Sequence, residues 1–103
     1  MKILREQPIF KPRYAEGVLI SKNEVKRAFE EIDDVLYIQD NNKCVGAAKN
    51  IKMKDNCIVG DFHIFDDVNR KYSGIATYTP KSKNSRVKAY NLKVYQVVAM
   101  KED

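Results

Sequence analysis

The sequence predicts an α+β protein in which one helix is followed by about five antiparallel strands, forming a small barrel or a strongly curled sheet. Three observations lead to this prediction. One stretch has helical periodicity behind a capping box, apolar residues alternate from residue 35 onward, and two polar turns join strands in compatible registers. The 103 residues, 44% of them hydrophobic, suffice for one domain with a packed core.

Residues 1–14 are predicted to form an extended basic arm, and residues 15–103 a single α+β domain. Pro8 and Pro12 each lack a backbone donor and favour extended geometry in the preceding residue. The charged residues of the arm are mostly basic: Lys2, Arg5, Glu6, Lys11 and Arg13. The sequence leaves open whether this arm packs on the domain.

A helix is predicted over residues 22–32, after a short strand at residues 18–20. Ser21 and Glu24 have the spacing of a capping box, in which Ser21 accepts from the third helical N–H and Glu24 reaches back to the N–H of Ser21. Apolar residues then recur on one helical face: Val25, Ala28, Phe29 and Ile32.

Residues 35–65 are predicted to form two consecutive β-hairpins. Asn41-Asn42 and Asp55-Asn56 can supply the positive φ angles of two-residue turns. Both registers place apolar residues on one shared inner face, which supports the two turns together. The pairs expected are Asp40 with Lys43, Ile38 with Val45, Lys54 with Cys57, and Met53 with Ile58.

The C-terminal third is predicted to contain a strand at residues 73–79, a basic and turn-rich loop at residues 79–86, and a long strand at residues 87–100. The apolar alternation changes phase within the last strand. A bulge near Asn91 would produce this change, because one extra residue exchanges the two faces of a strand.

Positive charge is concentrated in the same third. Residues 1–67 carry 11 basic and 12 acidic residues, whereas residues 68–103 carry 8 basic and 2 acidic residues, within a net charge of +5. Cations attract phosphates and tyrosines can stack on bases, and a basic loop at residues 79–86 could instead dock on an acidic protein. The predicted partner-binding residues are Arg70, Lys71, Tyr78, Lys81, Lys83, Arg86, Lys88, Tyr90 and Lys93.

No catalytic set, metal site or cofactor site is predicted. His63 is the single histidine and lies two residues from Asp61, so an enzyme centred on this pair is the third hypothesis, after two binding roles. Cys44 and Cys57 lack the spacing of zinc ligands and are expected to be reduced thiols. The chain shows neither a signal peptide nor a run of about 20 apolar residues, so a cytoplasmic protein without membrane contact is expected.

Two stretches resemble a known family: GVLISKNEVKRAF at residues 17–29 and VGAAKNIKMKDNCIVGDF at residues 45–62. Their order of helix, apolar-Gly pair, strand, polar turn and Gly-Asp pair is similar to small phage and prophage proteins related to the capsid-assembly (prohead) protease family. The resemblance covers about residues 17–67. Proteases of that family use a His/Ser/His arrangement that this chain lacks, so the resemblance implies a phage-encoded binding or assembly protein without peptidase activity.

These observations predict a small non-enzymatic protein of a phage or mobile element that binds a macromolecular partner through a basic C-terminal face. Its role would be in virion assembly or in interaction with the host, and its location the host cytoplasm or the virion. The alternative is a nucleic-acid-binding small β-barrel that uses the Lys, Arg and Tyr side chains of residues 70–95. The expected partner is a protein or a nucleic acid, and a homo-oligomer is possible.

Overall fold

The computed structural model of the chain describes residues 1–66, 71–83 and 86–100. These residues contain eight strands and one helix. In chain order the elements are β1 (Lys2–Phe10), β2 (Arg13–Ala15), β3 (Val18–Ile20), α1 (Lys22–Glu30), β4 (Leu36–Asp40), β5 (Lys43–Lys54), β6 (Cys57–Ile64), β7 (Lys71–Lys83) and β8 (Arg86–Met100).

All eight strands belong to one sheet of mixed direction. Seven of them follow the order β1-β6-β5-β4-β8-β3-β2. The remaining strand, β7, pairs with β8. β3 and β4 run parallel to β8, whereas the other pairs are antiparallel. The predicted α+β fold with about five antiparallel strands is therefore wrong, because the described chain is mainly β and has eight strands with two parallel pairings.

The residues expected to form an arm are incorporated into the sheet. β1 pairs antiparallel with β6, with Lys2 opposite Ile64, and its last residues, Ile9 and Phe10, are buried in the core. Pro8 is compatible with this strand because β1 pairs on one edge only, and proline is tolerated in edge strands. The two prolines that indicated a separate arm therefore lie within and beside a paired strand.

The helix α1 packs on β8 between the segments that pair with β3 and with β4. Val18 of β3 lies opposite Val87, and Ile38 of β4 lies opposite Val97, so the two strands pair with the two ends of β8. Since α1 connects β3 to β4 along the chain, it lies between these two pairings and packs on β8 with Val25 buried. The predicted helix is confirmed, and it ends at Glu30, two residues earlier than expected.

Half of the predicted capping box is present. The hydroxyl of Ser21 accepts a hydrogen bond of 3.2 Å from the backbone N–H of Glu24, as expected. The carboxylate of Glu24 does not return to Ser21, because it accepts the backbone N–H of Leu92 at 2.8 Å instead. A partner 68 residues away in the sequence thus replaces the local one.

The two predicted hairpin turns are confirmed. Asn41-Asn42 and Asp55-Asn56 have positive φ at both positions, and the predicted pairs beside the turns form, as Lys54 with Cys57 shows. The pair of Ile38 with Val45 is wrong, because an extra residue in β5 shifts the register and places Ile38 opposite Gly46. A third turn of this kind, at Glu16-Gly17, joins β2 to β3.

β7 and β8 form one long hairpin. The prediction of a loop at residues 79–86 is wrong, because strand pairing continues until Lys83 lies opposite Arg86. The predicted bulge near Asn91 is confirmed: this residue has a φ of 55°, and one extra residue lies in β8 beside Tyr78. The bulge restores Leu92 to the core side, where its side chain is fully buried.

The sheet curls without closing. The backbone oxygen of Ile9 in β1 lies so close to Gly74 in β7 that a Cβ atom at this glycine would collide with it. The described residues of β1 and β7 nevertheless form no ladder with each other. The predicted small barrel is therefore wrong, and an open seam separates the two edge strands.

Candidate functional site

The nine predicted partner-binding residues do not share one surface. Arg70 lies outside the described residues, and Lys71 lies opposite Met100, ten residues or about 33 Å along β7 from Lys81. Tyr78 is half-buried and packs against the hydrophobic core rather than facing solvent. The remaining six residues lie in the half of the β7–β8 hairpin nearer its turn: Lys81, Lys83, Arg86, Lys88, Tyr90 and Lys93.

Five of these six residues define what we call the basic hairpin face: Lys81, Arg86, Lys88, Tyr90 and Lys93. Residues directly opposite each other, or two apart on one strand, share a face of a sheet, and the register therefore places these five together. All four cations are exposed, whereas Ala89, which points to the other side, is buried. Lys83 continues the register of this face in its backbone position opposite Arg86.

Like charges lie directly opposite one another on this face. Lys81 pairs with Lys88, and the next pair outward is Lys83 with Arg86. The Nζ atom of Lys81 lies 5.5 Å from the ring centroid of Tyr90, a cation–π geometry. None of the four cations of the basic hairpin face forms an ion pair with a carboxylate in the described residues. Within the described residues, their mutual repulsion is therefore not offset by an ion pair.

Two neighbouring strands extend the basic hairpin face sideways. Leu19 of β3 lies opposite Lys88, and Tyr14 of β2 lies opposite Leu19, so one row of side chains crosses four strands from Lys81 to Tyr14. The side chain of Tyr14 is strongly exposed, at 72%. A cleft of about 320 Å³ beside it is lined by Tyr14, Gly17, Leu19, Arg86 and Val87. Cations and an exposed aromatic ring thus meet at one end of the sheet.

Tyr14 was missed in the sequence because it falls in the segment read as an arm. Its pairing depends on β2 reaching the edge of β3, which no local apolar pattern indicates over three residues. The available signal was the Glu16-Gly17 dipeptide, since glycine at the second position suits a two-residue hairpin turn. Reading that turn would have placed Tyr14 opposite Leu19.

Asp61 belongs to the alternative catalytic pair. Its side chain is buried and forms hydrogen bonds with residues at two β-bulges. Its carboxylate accepts hydrogen bonds from the backbone N–H of Glu6 at 2.9 Å, from the Asn50 amide at 3.3 Å and from Arg5 at 3.2 Å. The Glu6 N–H, foremost, and then the Asn50 amide hold the pKa of Asp61 below its ordinary value. Glu6 and Asn50 both have positive φ and lie at register shifts of the strands flanking β6.

These hydrogen bonds give Asp61 a structural role at the two bulges, and none of them involves His63. His63 is half-buried two residues further along β6, between Ile3 of β1 and Ala47 of β5 in register. An enzyme centred on this pair stays a prediction.

Other features of the described residues point elsewhere. A cleft of about 440 Å³ lies at the end of α1 and is lined partly by Glu30, Asp33 and Asp34, so its charge is opposite to that of the hairpin. Across residues 1–66, 71–83 and 86–100, no three His, Cys, Asp or Glu side chains are grouped as metal ligands would be. Cys44 and Cys57 are free thiols. In the same ranges, no helix has the length and apolar character required to cross a membrane.

Comparison with family models, with curated proteins and with solved structures gave no match to this chain. The resemblance to small phage proteins related to the prohead protease family stays a prediction. The candidate site therefore rests on its own geometry and charge.

Proposed function

We propose that this is a non-enzymatic protein that binds a polyanionic macromolecule through the basic hairpin face. The observation that carries the proposal is the cross-strand pairing of Lys81 with Lys88, two exposed lysines. Like charges directly opposite each other destabilise a β-ladder. Since β7 and β8 contain neither Asp nor Glu, a bound polyanion is the partner that would relieve this repulsion.

The dimensions of the face suit an extended ligand. Lys93 and Arg86 are seven residues apart on β8, which corresponds to about 20 Å along the strand. Phosphates of a nucleic acid or carboxylates of an acidic protein could both bind along such a row, and either interaction would weaken with salt. A phage or mobile-element origin, with a location in the host cytoplasm or the virion, belongs to the same proposal through the sequence resemblance.

Fluorescence anisotropy tests the proposal with labelled single-stranded DNA, duplex DNA and polyglutamate as probes. We expect at least one polyanion to bind at low salt with an affinity that falls steeply as salt is added. The double variant Lys81→Glu/Lys88→Glu should abolish binding. The matched control is Lys26→Glu/Lys49→Glu, which makes the same charge change at two exposed positions outside β7 and β8 and should retain binding.

Two results would overturn the proposal. One is the absence of binding to all three probes at low salt. The other is an equal loss of binding in the hairpin variant and in the control, which would show that total charge and not the hairpin determines the interaction.

A further inference from the structure

We infer that the polyanion is a single-stranded nucleic acid, with one base stacked on Tyr14 and the neighbouring phosphates on Arg86, Lys88 and Lys81. This inference rests on the proposed function and specifies its partner. It depends on the row of side chains that joins the exposed ring of Tyr14 to the cations of the hairpin.

The cleft beside Tyr14 has the chemistry of a nucleotide site. Its lining includes the aromatic residue Tyr14 and the apolar residues Leu19 and Val87, and Arg86 supplies a cation at the same cleft. Its volume of about 320 Å³ is at the lower end of the range of small-molecule sites, which begins at about 300 Å³. A flat base with an attached phosphate uses both kinds of lining, whereas a carboxylate side chain uses only the cation.

Tyr14 is better suited to stacking than the tyrosine of the basic hairpin face. Lys81 already lies over one side of the Tyr90 ring. Tyr14 lies on β2, at an edge of the sheet, and 72% of its surface is exposed. Base–aromatic stacking tolerates any base, so a site of this kind would bind many sequences.

The distances between Tyr14 and the two lysines suit a nucleic-acid strand that crosses the sheet. Neighbouring strands lie about 4.8 Å apart, so Tyr14 on β2 is about 10 Å from Lys88 on β8 and about 14 Å from Lys81 on β7. A strand of nucleic acid that crosses β2, β3, β8 and β7 would meet the aromatic ring first and the cations afterwards. In a duplex the bases are stacked on each other inside the helix and cannot reach Tyr14 without being unpaired.

One acidic residue opposes this site. Glu16 lies in the turn between β2 and β3, and the next residue, Gly17, lines the cleft. Its exposed carboxylate should repel a phosphate bound near Arg86. Glu16→Gln removes this negative charge and is therefore expected to strengthen the binding of the nucleic acid.

The experiment compares four probes of equal length by fluorescence anisotropy: oligothymidine, an abasic phosphodiester strand, duplex DNA and polyglutamate. We expect oligothymidine to bind most tightly. Tyr14→Ala should weaken its binding about 5- to 100-fold while leaving the salt dependence unchanged, because stacking involves no counterion release. The same variant should leave binding of the abasic strand and the duplex unchanged.

Matched variants separate stacking from general effects. Tyr14→Phe retains the ring and should bind like the original protein. Tyr37→Ala removes another exposed tyrosine, on β4, and should have no effect. Lys88→Gln should lower the magnitude of the salt slope for oligothymidine by about 0.7. Circular dichroism of each variant verifies that the sheet is intact.

The outcomes distinguish this inference from the proposed function. Equal binding of oligothymidine and the abasic strand, or no effect of Tyr14→Ala on oligothymidine, overturns the stacking inference but leaves a polyanion-binding hairpin. Binding of polyglutamate alone overturns the inference and identifies an acidic protein as the partner. Absence of binding to all four probes overturns both.

Discussion

The carboxylate of Glu24 on the helix accepts a 2.8 Å hydrogen bond from the backbone N–H of Leu92 in β8. The carbonyl of the same Leu92 accepts a 2.8 Å hydrogen bond from Arg27, which is also ion-paired with Glu24. Leu92 follows the bulge at Asn91, between the segments of β8 that pair with β3 and with β4. The side chains of Glu24 and Arg27 therefore hydrogen-bond both the N–H and the carbonyl of Leu92, as a neighbouring strand would do.

We expect Glu24→Ala to lower the free energy of unfolding by about 1–3 kcal/mol, because it leaves the N–H of Leu92 without its acceptor. Glu24→Gln keeps an acceptor oxygen and should cost less. Urea denaturation provides the measurement, with Glu30→Ala as a control at an exposed position of the same helix. Equal effects of Glu24→Ala and Glu30→Ala would contradict the role assigned to Glu24.

The stability of the fold should decrease in acid. The pKa of Glu6 is lowered from 4.5 to about 2 by the ammonium groups of Lys52 and Lys54, and the pKa values of Glu24 and Asp61 are also lowered. A carboxyl group with a lowered pKa in the folded state contributes stability above its ordinary pKa, and the contribution is lost as the pH falls through the folded value. The melting temperature should therefore fall as the pH decreases from about 4.5 towards 2.

Asp61→Asn provides the variant for this pH profile. It should have a lower melting temperature near neutral pH and a flatter decrease in acid, because one of the groups with a lowered pKa is gone. The part contributed by Glu6, which is exposed to solvent, should diminish with added salt. A pH profile of Asp61→Asn parallel to that of the original protein would argue against the linkage.

The close approach of β1 to β7 predicts a cost for any side chain at position 74. Gly74→Ala directs a methyl group into the backbone oxygen of Ile9, and we expect a loss of about 1–3 kcal/mol in unfolding free energy from this overpacking. Ser73→Ala, at the adjacent position, is the control and should cost less. An unchanged urea midpoint in Gly74→Ala would show that the seam opens freely.

Binding and stability should respond in opposite directions at the basic hairpin face. Lys88→Glu converts the like-charge pair with Lys81 into an opposite-charge pair, which should stabilise the unliganded protein by about 0.2–1 kcal/mol. The same variant should weaken polyanion binding. Lys26→Glu, on the helix, is expected to change neither quantity appreciably. Destabilisation by Lys88→Glu would mean that the lysine pair is not a source of strain.

The features predicted correctly from the sequence have local causes. The start of the helix depends on Ser21 and its spacing to Glu24, and the hairpin turns depend on Asn41-Asn42 and Asp55-Asn56. The bulge at Asn91 was visible because it reverses an apolar alternation within one strand. Each of these signals is contained in a few neighbouring residues.

The features that were missed depend on distant partners. Pro8 led to the prediction of an arm, because proline is tolerated within a strand at the edge of a sheet, and the local sequence does not show that β1 is an edge strand. The parallel pairings of β3 and β4 with β8 arise from the position of α1, which the local pattern does not encode. For the candidate site, the hairpin cations were predictable from charge, whereas Tyr14 joins them only through two long-range pairings.

The position of β8 determines when this sheet can be assembled. It follows β1 to β7 in the chain, yet β3, β4 and β7 all pair with it. During synthesis, seven strands are therefore made before the one that connects three of them. Completion of the fold must wait for residues 86–100, and a nascent chain that stalls before this point would present open strand edges to other chains and to chaperones.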